Sequence, residues 1–476
     1  MAIGIGSTLD VSKDTGNDLW GAGFNPYGTG AGTDYSRGSS PILSVSDLAY
    51  SGSGLNVTSV TGGFTSALRR NFGYLPAVTN GTPGRYEITA VVDGNTLTLD
   101  RAPGTGAFTG GTFNIGGSAA TLASVLLDAH IGAIVTLRKA ATAYALTAAL
   151  TAIPGSGGDP RSYSGIFGYN ATPGDLDGVA SRANFPMIQA QGAFPTTGFM
   201  VTLGSGYNAL QNVVLDGNSI AQDGTGGAAV NSRVKNCSIF GVTRNAVRIT
   251  GGFHVDDCDL SGAQGGMNLT LTGTPIGGIR STRVIGGAGP GIFLSSAIAG
   301  TTVMDRVVIA GQTGSTGHGI QCASSTTAVL LFNSVIASVA GDGINAASYL
   351  DALAIEGTIF ANITGTNQMV RCVNGGAYRN ANFFRNGLFN VANRGAILAA
   401  GPGEVAFGAD PFVNAAGYDF TLNGNTPGGG QARGKGLPAF APGATGTAQN
   451  IDMGAYQSAA GGGSSIYHPL GGGIIR

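Results

Sequence analysis

The sequence predicts an all-β chain whose main body is a right-handed parallel β-helix, a solenoid, with a small N-terminal β domain and a short capping helix. Three observations predict it. A hydrophobic motif begins at Leu210, Val234, Val255, Ile279, Met304, Leu331, Ala354 and Tyr378, a spacing of 21 to 27 residues. Corner-forming residues recur inside it. A second apolar-x-apolar triplet follows most copies. The period is too long for a heptad and suits one full turn of a β-solenoid.

Each position of the motif has a physical role. Five residues after the start stand Leu215, Ile239, Leu260, Val284, Ile309, Ile336, Ile359 and Phe383, all large and apolar. Three residues after it stand smaller ones, such as Val213, Cys237, Cys258, Thr282 and Ser334. These two positions share parity, so on a strand they face one side. The start does not share it, so the chain must turn in between. The intervening position holds Asn212, Asn236, Asp257, Asn333 and Asn380 in five copies; Asn and Asp tolerate left-handed backbone. Glycine at Gly217, Gly241, Gly262, Gly286 and Gly311 marks the next turn. The second strand reads Val247-Arg248-Ile249, Met267-Asn268-Leu269, Ile292-Phe293-Leu294, Ile320-Gln321-Cys322 and Ile344-Asn345-Ala346. Stacked coils place like above like at about 4.8 Å, and the right hand is the usual one for parallel crossovers.

The ends depart from the repeat, giving three expected regions: 1–118, 119–456 and 457–476. In the first, an arm rich in Gly, Asn and Tyr precedes short strands. The clearest pair is Arg85-Tyr86-Glu87-Ile88 with Val91-Val92, a turn at Asp93-Gly94-Asn95, and Leu97-Thr98-Leu99. Leu122, Val125, Leu126 and Ala129 then recur at helical spacing, with Ser118 in position to cap. A helix there covers the open solenoid end, and Ile134 to Leu137 is the expected first coil strand. The last region is a glycine linker followed by an apolar tail containing Ile466, Tyr467, Leu470, Ile474 and Ile475. Two readings stand for the tail, and for Trp20, Phe24 and Tyr27 in the arm: docking on a partner subunit, or no partner role.

Composition narrows the class. Of 476 residues, 84 are glycine without a collagen period, and only 10% are charged. So little charge suits a surface that lies against copies of itself or other subunits. A net charge of −1 without a Lys/Arg block gives no footprint for nucleic acid. No apolar run is long enough for a membrane helix, and Met1 to Asp10 lacks the pattern of a secretory signal. Cys237 and Cys258 share one coil position, as a bonded or metal-holding pair or as stacked thiols.

At Val234-Lys235-Asn236-Cys237-Ser238-Ile239 the chain resembles the pectate-lyase-like β-helix superfamily. The succession Asp410-Pro411-Phe412-Val413-Asn414, Asp419-Phe420-Thr421-Leu422 and Asp452-Met453-Gly454-Ala455-Tyr456 is similar to its closing segment. That fold hosts lyases, hydrolases, tailspikes and inert structural proteins, so the resemblance implies architecture more than activity. The head, with Phe24-Asn25-Pro26, Gly62-Gly63-Phe64-Thr65 and Leu99-Asp100-Arg101, resembles bacteriophage virion proteins of this fold.

Chemistry is sparse. The outward row of the second strand is expected to be Arg248, Asn268, Phe293, Gln321, Asn345 and Arg371, without a carboxylate pair. Gly317-His318-Gly319-Ile320 resembles the histidine motif of polygalacturonase-type hydrolases, and Asp256-Asp257-Cys258 their paired aspartates. Register argues against both, because Asp257 falls at a corner and the two fragments lie more than two coils apart. His254, Asp256 and Asp259 read as a polar edge rather than a metal site. The resulting expectation is a structural component of a phage particle, a decoration or appendage protein in the virion. It would form a homotrimer, contact other virion proteins through its termini, and need no cofactor, metal or catalytic residue. The alternative is a tailspike that binds host surface polysaccharide, with or without cleaving it, and a third reading is a passive adhesin that binds glycans without cutting them.

Overall fold

The computed structural model describes residues 8–21, 23–24, 40–128, 134–151, 164–177, 179, 181–192, 194–204, 206–271, 276–296, 300–323, 327–346, 350, 352–372, 380–395, 400–433, 435, 438–439, 449–450 and 454. Tyr27 and the tail residues Ile466, Tyr467, Leu470, Ile474 and Ile475 lie outside them. The architecture is all-β and solenoidal as expected, and Leu122–Asp128 is the α-helix among the described residues. The chain forms two compact units, Met1–Gln191 with Val201–Val214, and Gly192–Met200 with Leu215–Arg476.

In the first unit a parallel ladder runs through Thr8–Val11, Ile134–Arg138, Ser164–Tyr169 and Tyr207–Gln211. Leu9, Val135, Ile166 and Leu210 stack within it, all buried. Ile134 is thus not the first rung: a strand from the very head of the chain precedes it. Between these two rungs the chain departs into a closed six-stranded barrel, which contains the expected hairpin with Val91 opposite Leu97. Its core includes Leu48, Val57, Ile88, Leu97 and Phe113. Arg85, 1% exposed, ties the barrel to its surroundings. It donates to the carbonyls of Trp20 (3.0 Å), Ser124 (2.7 Å) and Asp18 (2.9 Å).

The helix is capped differently from expectation. Thr121, not Ser118, holds the N-cap position, its hydroxyl accepting from the Ser124 N–H at 3.3 Å. Asp18 reinforces this entry by accepting from the N–H groups of Ala120 and Thr121. Ser118 instead donates its hydroxyl to Asp10, which also accepts from Thr136 at 2.8 Å and from Tyr169 at 2.7 Å. Burial pushes the Asp10 carboxyl above its ordinary range, while these hydroxyls and Arg138 oppose the shift.

In the second unit the corner prediction is met by backbone geometry. Asn236, Asp257, Ser281, Arg306 and Asn333 have φ of 53°, 54°, 46°, 54° and 45°. The ladder then corrects the expected register of the last two coils. Leu331 pairs with Ile355, and Ile355 with Phe383, so these are the true starts rather than Ala354 and Tyr378. Gly357 and Arg385, with φ of 63° and 52°, are the matching corners. Phe360 and Leu388 succeed Ile336 in the inward column.

Ile359, one residue from the inward Phe360, lies on the opposite face. It is buried there with Val308, Ala310, Val335, Ala337 and Ala361, covered by Phe412, Phe420 and Leu422 of the closing hairpin. Gly454 adds to the cover, donating to the carbonyl of Gly357 at 2.7 Å. Inside, size alternates between coils. Ser232, Phe253, Gly277 and Thr302 occupy one column, and the Phe253 ring fills the space that a Gly277 side chain would need. Cys237 and Cys258 are buried thiols outside any disulfide, each donating to a carbonyl two residues back at 3.2 Å.

Candidate binding face

The second-strand row is continuous in the ladder. Gly226, Arg248, Asn268, Phe293, Gln321, Asn345 and Arg371 pair in that order through the second unit. The flanking Val247, Met267, Ile292, Ile320, Ile344 and Val370 are buried inward and fix the row's outward direction. A parallel column of Thr250, Thr270 and Ser295 adds half-exposed hydroxyls to the same face. At one end the Phe199 ring lies across Gly226, 2.7 Å from where a Cβ would stand. The face therefore offers amides, hydroxyls, two guanidiniums and the rings of Phe199 and Phe293.

A second column, missed in the sequence, lies just before these strands. It holds Asp223, Asn245, Gly265, Pro290, His318 and Asp342, each one residue before the position where glycine recurs. The signal was present as Asp223-Gly224, His318-Gly319 and Asp342-Gly343. The glycines are required because the inward residues Ile239, Ile336 and Phe360 press against Gly224, Gly319 and Gly343. Asp223 and Asp342 are fully buried.

Both aspartates sit behind an arginine of the row. Asp223 accepts from Arg244 through both carboxylate oxygens and from the Asn245 N–H at 3.2 Å, with Arg248 Nη1 at 3.7 Å. Asp342 accepts from Asn345 Nδ2 at 2.8 Å and has Arg371 Nη1 at 3.9 Å. His318 adjoins Asp342, but its Nδ1 accepts the Asp342 backbone N–H at 2.9 Å, which requires Nδ1 to be unprotonated. Burial lowers the His318 pKa, with Asp342 opposing and Arg371 assisting. The 3.5 Å approach of Nδ1 to the Asp342 carboxylate is therefore not an ion pair near neutral pH.

The other expected features fall elsewhere. Asp257 stands at a left-handed corner, as the register argument required. Among the described residues no three His, Cys, Asp or Glu side chains are grouped as metal ligands. Trp20 is half-buried, with its ring beside Gly117 in the first unit. Phe24 is placed by its backbone, opposite Thr8.

No family model matches the chain, and no curated protein sequence matches it. Among solved structures it is similar to pectate lyase Pel9A, at 11% identity and a TM-score of 0.41, covering 72% of this chain and 91% of that one. It is also similar to the catalytic domain of a GH87 alpha-1,3-glucanase in complex with nigerose, at 11% identity and a TM-score of 0.25, covering 77% and 87%. The Agl-KA catalytic domain follows at 10% identity and a TM-score of 0.28, covering 77% and 78%. Likeness at this level transfers neither activity nor substrate.

Proposed function

We propose that this protein binds an extended polysaccharide along the second-strand row and does not cleave it. The row and its neighbouring column carry the reading: the amides of Asn268 and Gln321 flank the Phe293 ring, and the hydroxyls of Thr250, Thr270 and Ser295 repeat at one coil spacing. A repeating polar ladder suits a repeating polymer, and sugar hydroxyls match amide and hydroxyl partners. The carboxylates of this face argue against hydrolysis by an acid pair. Asp223 and Asp342 are five coils apart, about 24 Å at the usual strand spacing. An inverting glycosidase needs its pair roughly 6.5–9.5 Å apart. The test is affinity capture on immobilised cell-surface polysaccharides, with product sizing. Retention that Phe293→Ala and Gln321→Ala weaken about tenfold, with polymer length unchanged, supports the reading. Shortened polymer overturns the non-cleaving part, and absence of retention overturns the whole.

A virion location is the companion proposal. The head's resemblance to phage virion proteins and a charged content of only 10% support a self-associating trimeric appendage. Proteomics of purified particles tests it; absence of the chain from them rejects it.

A further inference from the structure

Resting on that polysaccharide reading, we infer that the polymer carries anionic groups, anchored by Arg248 and Arg371 at two points of the row. Among the described residues the carboxylates of this face, Asp223 and Asp342, are fully buried, whereas the Arg248 and Arg371 side chains are 46% and 37% exposed. A ligand on the row therefore meets guanidinium, not carboxylate. Among the described residues, Arg244, Arg248 and Arg371 against Asp223 and Asp342, with His318 neutral, leave one positive charge. That surplus lies at the Asp223 end, where Arg244 already engages both carboxylate oxygens. Arg248 reaches the same carboxylate only at 3.7 Å and keeps donors for an outside acceptor.

Asp223 and Asp342 stand 3.7 and 3.9 Å behind Arg248 and Arg371, beyond hydrogen-bond reach, and bias each guanidinium by charge. The exposed Arg248 guanidinium matches the fork geometry of carboxylate, sulfate or phosphate. The spacing of the anchors, five coils, asks for a chain long enough to bridge about 24 Å.

The test uses the full chain on an array of neutral polysaccharides and of polysaccharides bearing carboxylate, sulfate or phosphate, with a single-stranded oligonucleotide as a further probe. We expect retention of one anionic class, weakening as salt rises. Arg248→Gln and Arg371→Gln should each weaken it about tenfold, and Arg248→Lys should restore only part. Unchanged melting temperatures in these variants exclude misfolding as the cause. Retention of neutral polymers alone overturns this inference and leaves the polysaccharide reading intact. Preference for the oligonucleotide overturns the inference, as do Gln variants that bind like wild type. No glycan retention at all overturns both.

Discussion

The Asp342 backbone N–H points at Nδ1 of His318 across adjacent coils, at 2.9 Å. This bond fixes the ring as the Nε2–H tautomer and makes one coil's loop the template for the next. Gly341 permits it, since a Cβ there would stand 2.5 Å from the same nitrogen.

A pH dependence of stability follows. His318 has a folded pKa below the ordinary 6.5, chiefly through burial. The unfolded chain therefore takes up its proton first, so stability is full above 6.5 and falls as pH drops below it. His318→Asn keeps an acceptor near the Nδ1 position but cannot protonate. Melting temperatures from pH 7.5 to 4.5 should fall more steeply in wild type than in the variant; parallel curves would refute this.

Asp10 behaves in the opposite sense. Its folded pKa is raised above 3.8, chiefly by burial. Its contribution is greatest below that value and declines as pH rises through the folded pKa. Relative to wild type, Asp10→Asn should gain stability between pH 4 and pH 7. Asp10→Ala, which strips three hydroxyls of their acceptor, should cost about 1–3 kcal/mol in denaturant unfolding. An Asn variant whose offset from wild type is the same at both pH values would contradict the assignment.

The interior column gives a third expectation. Gly277→Ala drives a methyl into the Phe253 ring and should cost about 1–3 kcal/mol. Adding Phe253→Leu should recover part of that loss, whereas Phe253→Leu alone destabilises by leaving space beside Gly277. Additive losses in the double variant would mean the two side chains are not coupled.

Adjacent residues are both buried, one inward and one beneath the closing hairpin, at Val308-Ile309, Val335-Ile336 and Ile359-Phe360. Gly311 and Asn333 mark the turns of the first two, whereas at the third the corner is Gly357, where no Asn or Asp marks it. Alternation carries no direction when both faces are covered, so the register slipped by one there and by five in the next coil. The outward row from Arg248 to Arg371 was readable because apolar neighbours bracket each member. Asp342 was not, since Gly343 separates it from Ile344-Asn345-Ala346, and Asp223 was not, since Gly224-Thr225-Gly226-Gly227 follows it without an apolar triplet. Phe199 belongs to the face only through the gap left by Gly226, a relation between coils that no local pattern encodes.

Thr8–Val11 pairs with Ile134–Arg138, across an entire barrel of intervening chain. On a ribosome the founding strand therefore waits, unpaired on that edge, until the barrel has been synthesised. The barrel must complete itself as an excursion that returns its exit near its entrance. The pairing of this one strand with the ladder is thereby tied to a domain that contributes no rung to it.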